Sequence, residues 1–264
     1  MQFFDTHVHL DNLTTETQMP LAEILFEAAQ AKVTKMLSVG VDKNSLVTLP
    51  QLAEVSSDLF YGIGLHPLYI QYHHLQDLDL LEQHLSEYNP QCRAIAEIGL
   101  DRFYPELIVD KIWQKQLDFL LAQLELARKY QLPVSLHSRQ SHDILAKCLK
   151  QVQLPKTGVV HAFSGSYQQA KRFVDLGYKI GVGGIITYQR ANKTRQAIAK
   201  LSITDLVLET DSPDMPPSGF QGKKNHPANV LLIYQHLVEL KQLNWEKVWE
   251  ILWQNSNLIF NQSE

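Results

Sequence analysis

The sequence predicts an α/β fold of the TIM (β/α)8-barrel class, in which eight parallel strands form a barrel inside a layer of helices. Short apolar segments alternate with longer segments of helical periodicity, the pattern of repeated strand-helix units. Eight strand candidates occur, which is the number that closes this barrel. Several, including VSLH and DLVLE, are apolar on both faces, as parallel strands covered by helices are. A length of 264 residues is typical of one such barrel.

The predicted elements alternate along the whole chain. The first half reads as the strand FFDTHVH, the helix LAEILFEAAQAK, the strand VTKMLSVG, the helix SLVTLPQLAEVSS and the strands LFYGIGLH and RAIAEIGLD. A long helix from about Ile108 to Tyr130 leads to the strands PVSLHS, GVVHAFSG, YKIGVGG and DLVLETDSP, which are separated by the helices HDILAKCLKQV, SYQQAKRFVDLG and TRQAIAKL. The apolar stripes of HPANVLLIYQHLVEL and WEKVWEILWQNSNLIF predict two closing helices. Because no repeat or linker interrupts this pattern, we expect a single domain over residues 1–264.

A doubly wound open sheet is the alternative architecture, and it often carries a glycine-rich dinucleotide turn. The stretch GVGGII at 181–186 is the comparable one here, and it lacks the GxGxxG spacing. We therefore interpret these glycines as providing room for the backbone at the end of the seventh strand.

The composition excludes several classes of protein. With 45% hydrophobic residues, 20% charged residues and a net charge of −4, the chain is not disordered, and broad non-specific nucleic-acid binding is disfavoured. A nucleic-acid partner would need local basic loops. Cys92 and Cys148 form no CxxC pair, and the sequence has no leader pattern and no apolar run of about 18 residues. We expect a cytoplasmic protein with no membrane segment and no obligate protein partner.

Polar side chains recur at the ends of the predicted strands. In a TIM barrel the carboxyl ends of the strands meet at one face, and active sites lie there. We therefore expect the polar residues at these ends to converge at one mouth. From the first strand to the eighth they are His7, His9, His66, Glu97, Asp101, His137, His161, Glu209 and Asp211.

The pair His7 and His9 predicts a metal site only in combination with the other strand ends. Side chains two apart on a strand share a face, so both imidazoles can bind one ion, although an HxH pair alone also fits an alternating surface strand. Buried imidazoles and carboxylates need partners, which metal ions provide. The set exceeds one tetrahedral ion, so we expect two divalent ions per subunit, drawn from Zn, Mn, Mg or Ni. The expected division places His7, His9 and Asp211 on one ion and His137 and His161 on the other, with Glu97 bridging.

Six motifs in a fixed order resemble those of the TatD family of metal-dependent hydrolases. They are DTHVHLD, GLHP, AEIGLD, LHSR, HAFSG and LETDSP, and they span residues 5–213. The resemblance implies a TIM barrel of the amidohydrolase type and divalent-metal-dependent DNase activity at 3′ ends of DNA. It implies the same six metal ligands: His7, His9, Glu97, His137, His161 and Asp211.

Two departures refine the resemblance. Glu97 stands where many related amidohydrolases use a carboxylated lysine, which favours the TatD arrangement. The stretch DSPDMPPSGFQGKKNHP resembles a branch of the family whose members are described only as metal-dependent hydrolases.

The leading prediction is a hydrolase of ester bonds, a 3′-5′ deoxyribonuclease that cleaves DNA phosphodiesters with a metal-activated hydroxide. The alternative is a small-molecule hydrolase of the amidohydrolase type, acting on a phosphomonoester, a lactone or a cyclic amide. A non-catalytic barrel that keeps its metal for stability is a third interpretation. It predicts incomplete ligand sets, whereas every ligand position here is filled.

Roles beyond metal binding are predicted for the remaining polar residues. Glu97, Asp211 and His66 are the catalytic candidates, and His66 either contacts the phosphate, donates a proton or anchors its loop. Four neighbours are expected to orient the metal-binding histidines or contact substrate. These are Asp5, Asp101, Arg139 and Glu209. A basic and aromatic rim is drawn from Arg102, Arg190, Lys193, Lys223 and Lys224 and from Tyr69, Phe103, Tyr104, Phe163, Tyr188 and Phe220, for which solvation and ordinary packing are the alternatives.

Overall fold

The computed structural model describes residues 1–261, in which eight parallel strands follow one another around a barrel in the order of the sequence. The predicted TIM barrel is confirmed. The strands are β1 (Phe3–Val8), β2 (Val33–Val39), β3 (Leu59–Ile63), β4 (Cys92–Asp101), β5 (Val134–Arg139), β6 (Gly158–Val160), β7 (Lys179–Val182) and β8 (Leu206–Leu208).

Helices pack around the strands and reproduce the predicted order. Two of them, α1 and α4, lie outside the predicted set, because LDNLTTET buries only two side chains and LQDLDLLEQHLS is interrupted by acidic residues. The helices are α1 (Leu10–Thr17), α2 (Leu21–Gln30), α3 (Ser45–Ala53), α4 (Leu75–Ser86), α5 (Asp110–Tyr130), α6 (His142–Val152), α7 (Tyr167–Asp175), α8 (Asn192–Lys200), α9 (Val230–Lys241) and α10 (Trp245–Phe260). Within residues 1–261, no helix combines the length and the apolar character needed to cross a bilayer.

The barrel closes between β1 and the segment that follows β8. The N–H of Asp211 donates to the carbonyl of His7 at 2.9 Å, and the N–H of His9 donates to the carbonyl of Ser212 at 2.7 Å. These bonds, with a parallel bridge between Val8 and Ser212, join the first strand to the last. The closing seam therefore passes directly through predicted site residues.

The hydrophobic core has two layers. A large cluster lies between the strands and the surrounding helices. A smaller cluster includes Phe4, Phe60 and Val159, and because these come from different sides of the barrel, it fills the barrel interior. Phe260 of α10 covers this interior cluster from below. The polar strand ends lie above this apolar floor, so the floor leaves space for a site only at the carboxyl end.

Two strands change register where they approach the site. Pairing of β1 with β2 shifts between Asp5 and Val8, and pairing of β4 with β5 shifts between Ile95 and Ile98. Such irregularities redirect side chains and are common beside active sites. Within β1 the shift allows Phe4 in the floor and His7 in the polar cluster to face the same interior.

The glycines near the end of β7 provide the predicted room. A Cβ on Gly181 would lie 2.2 Å from Oε2 of Glu209, and a Cβ on Gly184 would lie 2.4 Å from the carbonyl oxygen of Met215. The missing side chains allow a buried carboxylate and the loop after β8 to approach the strand.

Candidate metal centre

The structure brings all six predicted ligands to one buried cluster at the carboxyl end of the barrel, together with His66. Its donor atoms form three compact groups, and Glu97 belongs to two of them. The cluster rests on strand ends because parallel strands place their carboxyl ends at the same face. The three groups are His7, His9 and Asp211; His7, Glu97 and His161; and His66, Glu97 and His137.

One donor set surrounds Oε2 of Glu97. This oxygen lies 3.3 Å from Nε2 of His7 and 3.4 Å from Nε2 of His9. Oδ1 of Asp211 lies 3.7 Å and 3.5 Å from the same two nitrogens. Ligands that each lie about 2.1 Å from one ion are separated by about 3 to 3.5 Å in tetrahedral or octahedral geometry. The donor spacing of this set fits a single divalent cation.

A second donor set surrounds the other oxygen of the same carboxylate. Oε1 of Glu97 lies 2.6 Å from Nε2 of His161, 2.9 Å from Nε2 of His66 and 3.1 Å from Nδ1 of His137. The expected grouping of His137 with His161 is less simple than the sequence suggests, because His161 also stacks on His7, with ring centroids 3.8 Å apart. His161 therefore stands between the two sets.

Hydrogen bonds on the far side of two imidazoles determine which nitrogen is free to bind a metal. Nδ1 of His9 donates to the carbonyl of Val39 at 3.0 Å, and Nε2 of His137 donates to Oδ2 of Asp101 at 3.0 Å. In the neutral tautomer the other nitrogen of each ring then carries a lone pair, and that nitrogen faces Glu97. The predicted orienting role agrees with the contact of Asp101.

His66 has the opposite tautomer. Its Nδ1 accepts the N–H of Leu68 at 3.1 Å, so in the neutral ring the proton sits on Nε2, which faces Oε1 of Glu97. Burial lowers the pKa of His66 to about 4, which keeps the ring neutral near pH 7. The side chain therefore both anchors its loop and presents a hydrogen-bond donor, not a lone pair, to the cluster.

Asp5 and Glu209 contact backbone and hydroxyl groups in place of the expected imidazoles. Asp5 accepts the N–H of Thr210 at 2.9 Å and its hydroxyl at 2.6 Å, which supports the closing seam. Glu209 accepts the N–H of Ala162, the residue after His161. Burial raises the pKa of Asp5 to about 7 and that of Glu209 to about 8. Both carboxyl groups position backbone segments that carry site residues.

The charges and the polar contacts of the cluster favour a cation. Burial opposes ionisation of Glu97, yet the charges of His161, His66 and His7 hold the pKa of its carboxyl well below the usual range. Burial works against protonation of His137 as well, yet Asp101 and Glu97 raise its pKa to about 9. Within the described residues, neither ring nitrogen of the buried His161 has a hydrogen-bond partner. A buried imidazole of this kind fits metal coordination, which supplies the missing partner.

The cluster opens into a cavity of about 680 Å³ at the barrel mouth. One wall carries Tyr69, Phe103 and Tyr104, each about 40% exposed. The guanidinium carbon of Arg139 lies 3.5 Å from the centroid of the Phe103 ring, so this cation stacks on the aromatic wall. The predicted positions of these four residues at the mouth agree with the structure.

Other predicted rim residues lie elsewhere. Phe163 is buried against His142 and packs in the core. Lys224 forms an ion pair with Glu16. The guanidinium carbon of Arg102 lies 5.4 Å from the centroid of the Trp113 ring. Tyr188, Arg190 and Lys193 line a neighbouring cavity, which is described below.

The comparisons with known proteins agree with this fold and site. The family model described as TatD related DNase matches residues 4–261. An uncharacterized metal-dependent hydrolase of Haemophilus influenzae is 52% identical over 262 residues, covering 99% of this chain and 100% of the relative. The crystal structure of YjjV, a TatD homolog from Escherichia coli K12, has a TM-score of 0.92 and 43% identity, covering 99% of this chain and 98% of that one. A hydrolase TatD family protein of Entamoeba histolytica shares the fold, with a TM-score of 0.85 at 21% identity and 98% of each chain covered. The chain therefore belongs to the TatD family of metal-dependent hydrolases.

Proposed function

We propose that this hydrolase uses two divalent metal ions per subunit to cleave phosphodiesters, and that it acts as a 3′-5′ deoxyribonuclease on DNA ends. The carrying observation is the position of Glu97. Each oxygen of its carboxylate faces a different donor set, at 3.3 and 3.4 Å on one side and at 2.6 to 3.1 Å on the other. One carboxylate shared by two donor sets is the arrangement that a pair of ions requires.

The proposed ligands are the six residues predicted from the sequence, and Zn, Mn, Mg or Ni all suit imidazole and carboxylate donors. Two ions held there supply a hydroxide from water near neutral pH and neutralise charge on the phosphodiester. The proposed ligands are His7, His9, Glu97, His137, His161 and Asp211. Glu97 and Asp211 are catalytic in the sense that they hold both donor sets beside the substrate.

The chain itself supplies orientation and a proton. Asp101 holds the His137 ring, and the Val39 carbonyl holds the His9 ring, so that their free nitrogens face the cluster. His66 keeps a proton on Nε2 and directs it into the cavity floor. We assign to His66 a hydrogen bond to a phosphate oxygen or to the leaving oxygen, in line with its neutral state at pH 7.

The cavity walls match a nucleotide better than a simple phosphate ester. Tyr69, Phe103 and Tyr104 offer faces on which a terminal base can stack. Arg139 adds a positive charge at the same wall, suited to a phosphate oxygen. Together these groups would place a terminal nucleotide with its 3′ phosphodiester at the floor.

A small-molecule hydrolase is the second candidate, and the cavity volume favours it. About 680 Å³ lies within the usual range of small-ligand pockets, about 300 to 1,000 Å³, so a phosphomonoester, a lactone or a cyclic amide also fits. The cytoplasmic location, the single domain and the lack of an obligate protein partner stay predictions from the sequence.

Reconstitution with single metals tests the proposal. Protein stripped with a chelator receives Zn, Mn, Mg or Ni alone and is assayed on single-stranded DNA labelled at the 3′ or the 5′ end, beside phosphomonoesters and lactones. We expect mononucleotides to be released from the 3′ end with at least one metal, and no release by the isosteric variant Glu97→Gln.

Three outcomes contradict the proposal. Turnover that resists the chelator, or that survives in Glu97→Ala, excludes the metal-dependent mechanism. Hydrolysis of the small molecules with no nucleotide release under any metal favours the second candidate.

A further inference from the structure

A second cavity of about 620 Å³ adjoins the mouth. Ser164, Ile185 and Met215 line both this cavity and the one above the metal centre, so the two are continuous. The shared residues follow site residues closely in sequence, since Ser164 comes three after His161 and Met215 four after Asp211. The cavity therefore lies along a path that leaves the metal centre over the loops after β6, β7 and β8.

The charge of this cavity is positive. Arg190 and Lys193 line it, and no acidic residue does. Both are exposed, and within residues 1–261 neither forms an ion pair with a carboxylate, in contrast to the pair Lys224–Glu16. Lys193 lies in the first turn of α8, which has no acidic residue and no capping side chain. The N-terminal N–H groups of this helix add to the positive potential.

The walls of the cavity are fixed by contacts with the barrel. The hydroxyl of Tyr188 donates to the carbonyl of Pro216 at 2.7 Å, and the guanidinium carbon of Arg190 lies 5.1 Å from the centroid of the Tyr188 ring. The N–H of Ser218 donates to the hydroxyl of Thr187 at 2.7 Å, which ties the loop after β8 to the end of β7. Because both loops are held together, the two cations keep a defined position relative to the metal centre.

The two sides of the mouth differ in chemistry. Tyr69, Phe103 and Tyr104 form an aromatic wall on one side, whereas Arg190 and Lys193 lie in the adjoining cavity. A polymer with bases and phosphates matches this division, because bases stack on aromatic faces and phosphates contact cations. A small neutral or singly charged ester would leave the basic cavity without a partner.

We propose that the cavity lined by Arg190 and Lys193 binds a second phosphate of the substrate, one that precedes the scissile phosphodiester along a single strand. This inference rests on the proposed function and narrows it to a chain of phosphodiesters, in place of an isolated ester. Binding should therefore strengthen when the ligand is long enough to place a phosphate in the cavity.

Direct binding tests the inference without the need for hydrolysis. Fluorescence anisotropy compares a labelled single-stranded hexanucleotide with the dinucleoside monophosphate dTpT, which has one phosphate, on the metal-reconstituted protein. The variant Arg190→Gln/Lys193→Gln removes both cations. The control Lys147→Gln/Lys150→Gln removes the same charge from the exposed face of α6.

We expect the cavity variant to raise the Kd of the hexanucleotide about ten-fold or more, with little effect on dTpT. The slope of log K against log salt should fall in magnitude by about 1.4, since each phosphate contact on a single strand contributes about 0.7. The control should leave both Kd values unchanged, and kcat on bis(p-nitrophenyl) phosphate should stay the same in all three proteins.

The outcomes separate this inference from the proposed function. A hexanucleotide that is cleaved, but whose Kd is unchanged in the cavity variant or rises equally in the control, overturns the inference. So does the absence of any length dependence in the wild-type protein. A hexanucleotide that binds through Arg190 and Lys193 but is not cleaved under any metal supports the cavity and overturns the proposed deoxyribonuclease.

Discussion

Nε2 of His66 lies 2.9 Å from Oε1 of Glu97, so the imidazole directs its proton at the carboxylate between the two donor sets. The backbone N–H of Leu68 occupies the other ring nitrogen. An imidazole held in this way is a donor, although its position alone resembles that of a metal ligand. This distinction leads to the first prediction.

Replacement of His66 by Asn should leave both metal ions bound and lower kcat about 100-fold. The shorter amide can still accept the N–H of Leu68, as Asn does at helix starts, but it removes the Nε2 donor. Metal content by mass spectrometry and kcat on DNA are measured together. His137→Asn is the comparison and should lose an ion. A loss of metal in His66→Asn would show that His66 is itself a ligand.

Replacement of Asp101 by Asn should weaken the affinity for one metal ion by about 10- to 100-fold, the usual effect when the partner of a ligating imidazole is lost. Asp101 is buried and accepts from Nε2 of His137 and from the N–H of Phe103 at 2.7 Å. Competition with a fluorescent chelator measures the affinity. Asp58→Asn, on the exposed surface, is the control. Equal affinities in the two variants contradict an orienting role for Asp101.

Replacement of Gly181 by Ala should destabilise the protein by about 1 to 3 kcal/mol, the usual cost of overpacking. The new Cβ would meet the buried Glu209 carboxylate at 2.2 Å. Gly183→Ala is the matched control on the same segment, because its Cβ would lie 3.6 Å from Glu209, in ordinary contact. Urea unfolding measures both. If Glu209→Ala fails to restore stability in the Gly181→Ala background, the clash is not the cause.

The pH dependence of stability should change when His142 is replaced by Phe. His142 is 6% exposed and packs against Phe163, and burial lowers its pKa from 6.5 to about 4. On acidification from pH 7 to pH 5 the unfolded chain takes up a proton that the folded chain does not, so the free energy of unfolding falls. From these two pKa values the loss is about 2 kcal/mol.

The variant should therefore lose about 2 kcal/mol less than the wild type between pH 7 and pH 5. Urea unfolding with a chelator present measures this difference without metal binding. His236→Phe, on a partly exposed face of α9, is the control substitution. The same fall in both variants would show that His142 takes up its proton in the folded state.

The sequence predicts the parts of the site that depend on residue type and strand ends. His7, His9 and Asp211 meet because parallel strands bring their carboxyl ends to one face, and this follows from the order of the motifs. Their roles as ligands stay predictions. The helix His142–Val152 is also predicted to the residue, since its apolar stripe is strong.

The parts that the sequence does not predict depend on backbone atoms and on tautomers. The carbonyl of Val39 orients His9, and an N–H of Leu68 sets the proton of His66, and neither contact involves a particular side-chain type. Ser135 bonds Nδ1 of His7 at 2.8 Å, and its position two residues before His137 on β5 is the signal that would have identified it. Asp5 resembles an imidazole partner in sequence, yet the register shift in β1 directs it to Thr210.

The seam between β1 and the segment after β8 gives the metal centre an additional role in the dynamics of the fold. Two backbone hydrogen bonds and one bridge join these segments, in place of a continuous ladder. An ion shared by His7, His9 and Asp211 would act as a clasp between chain segments about 200 residues apart. Amide hydrogen exchange at His9 and Asp211 should therefore slow when the ion is added, because opening of the barrel at this seam would require release of the ion.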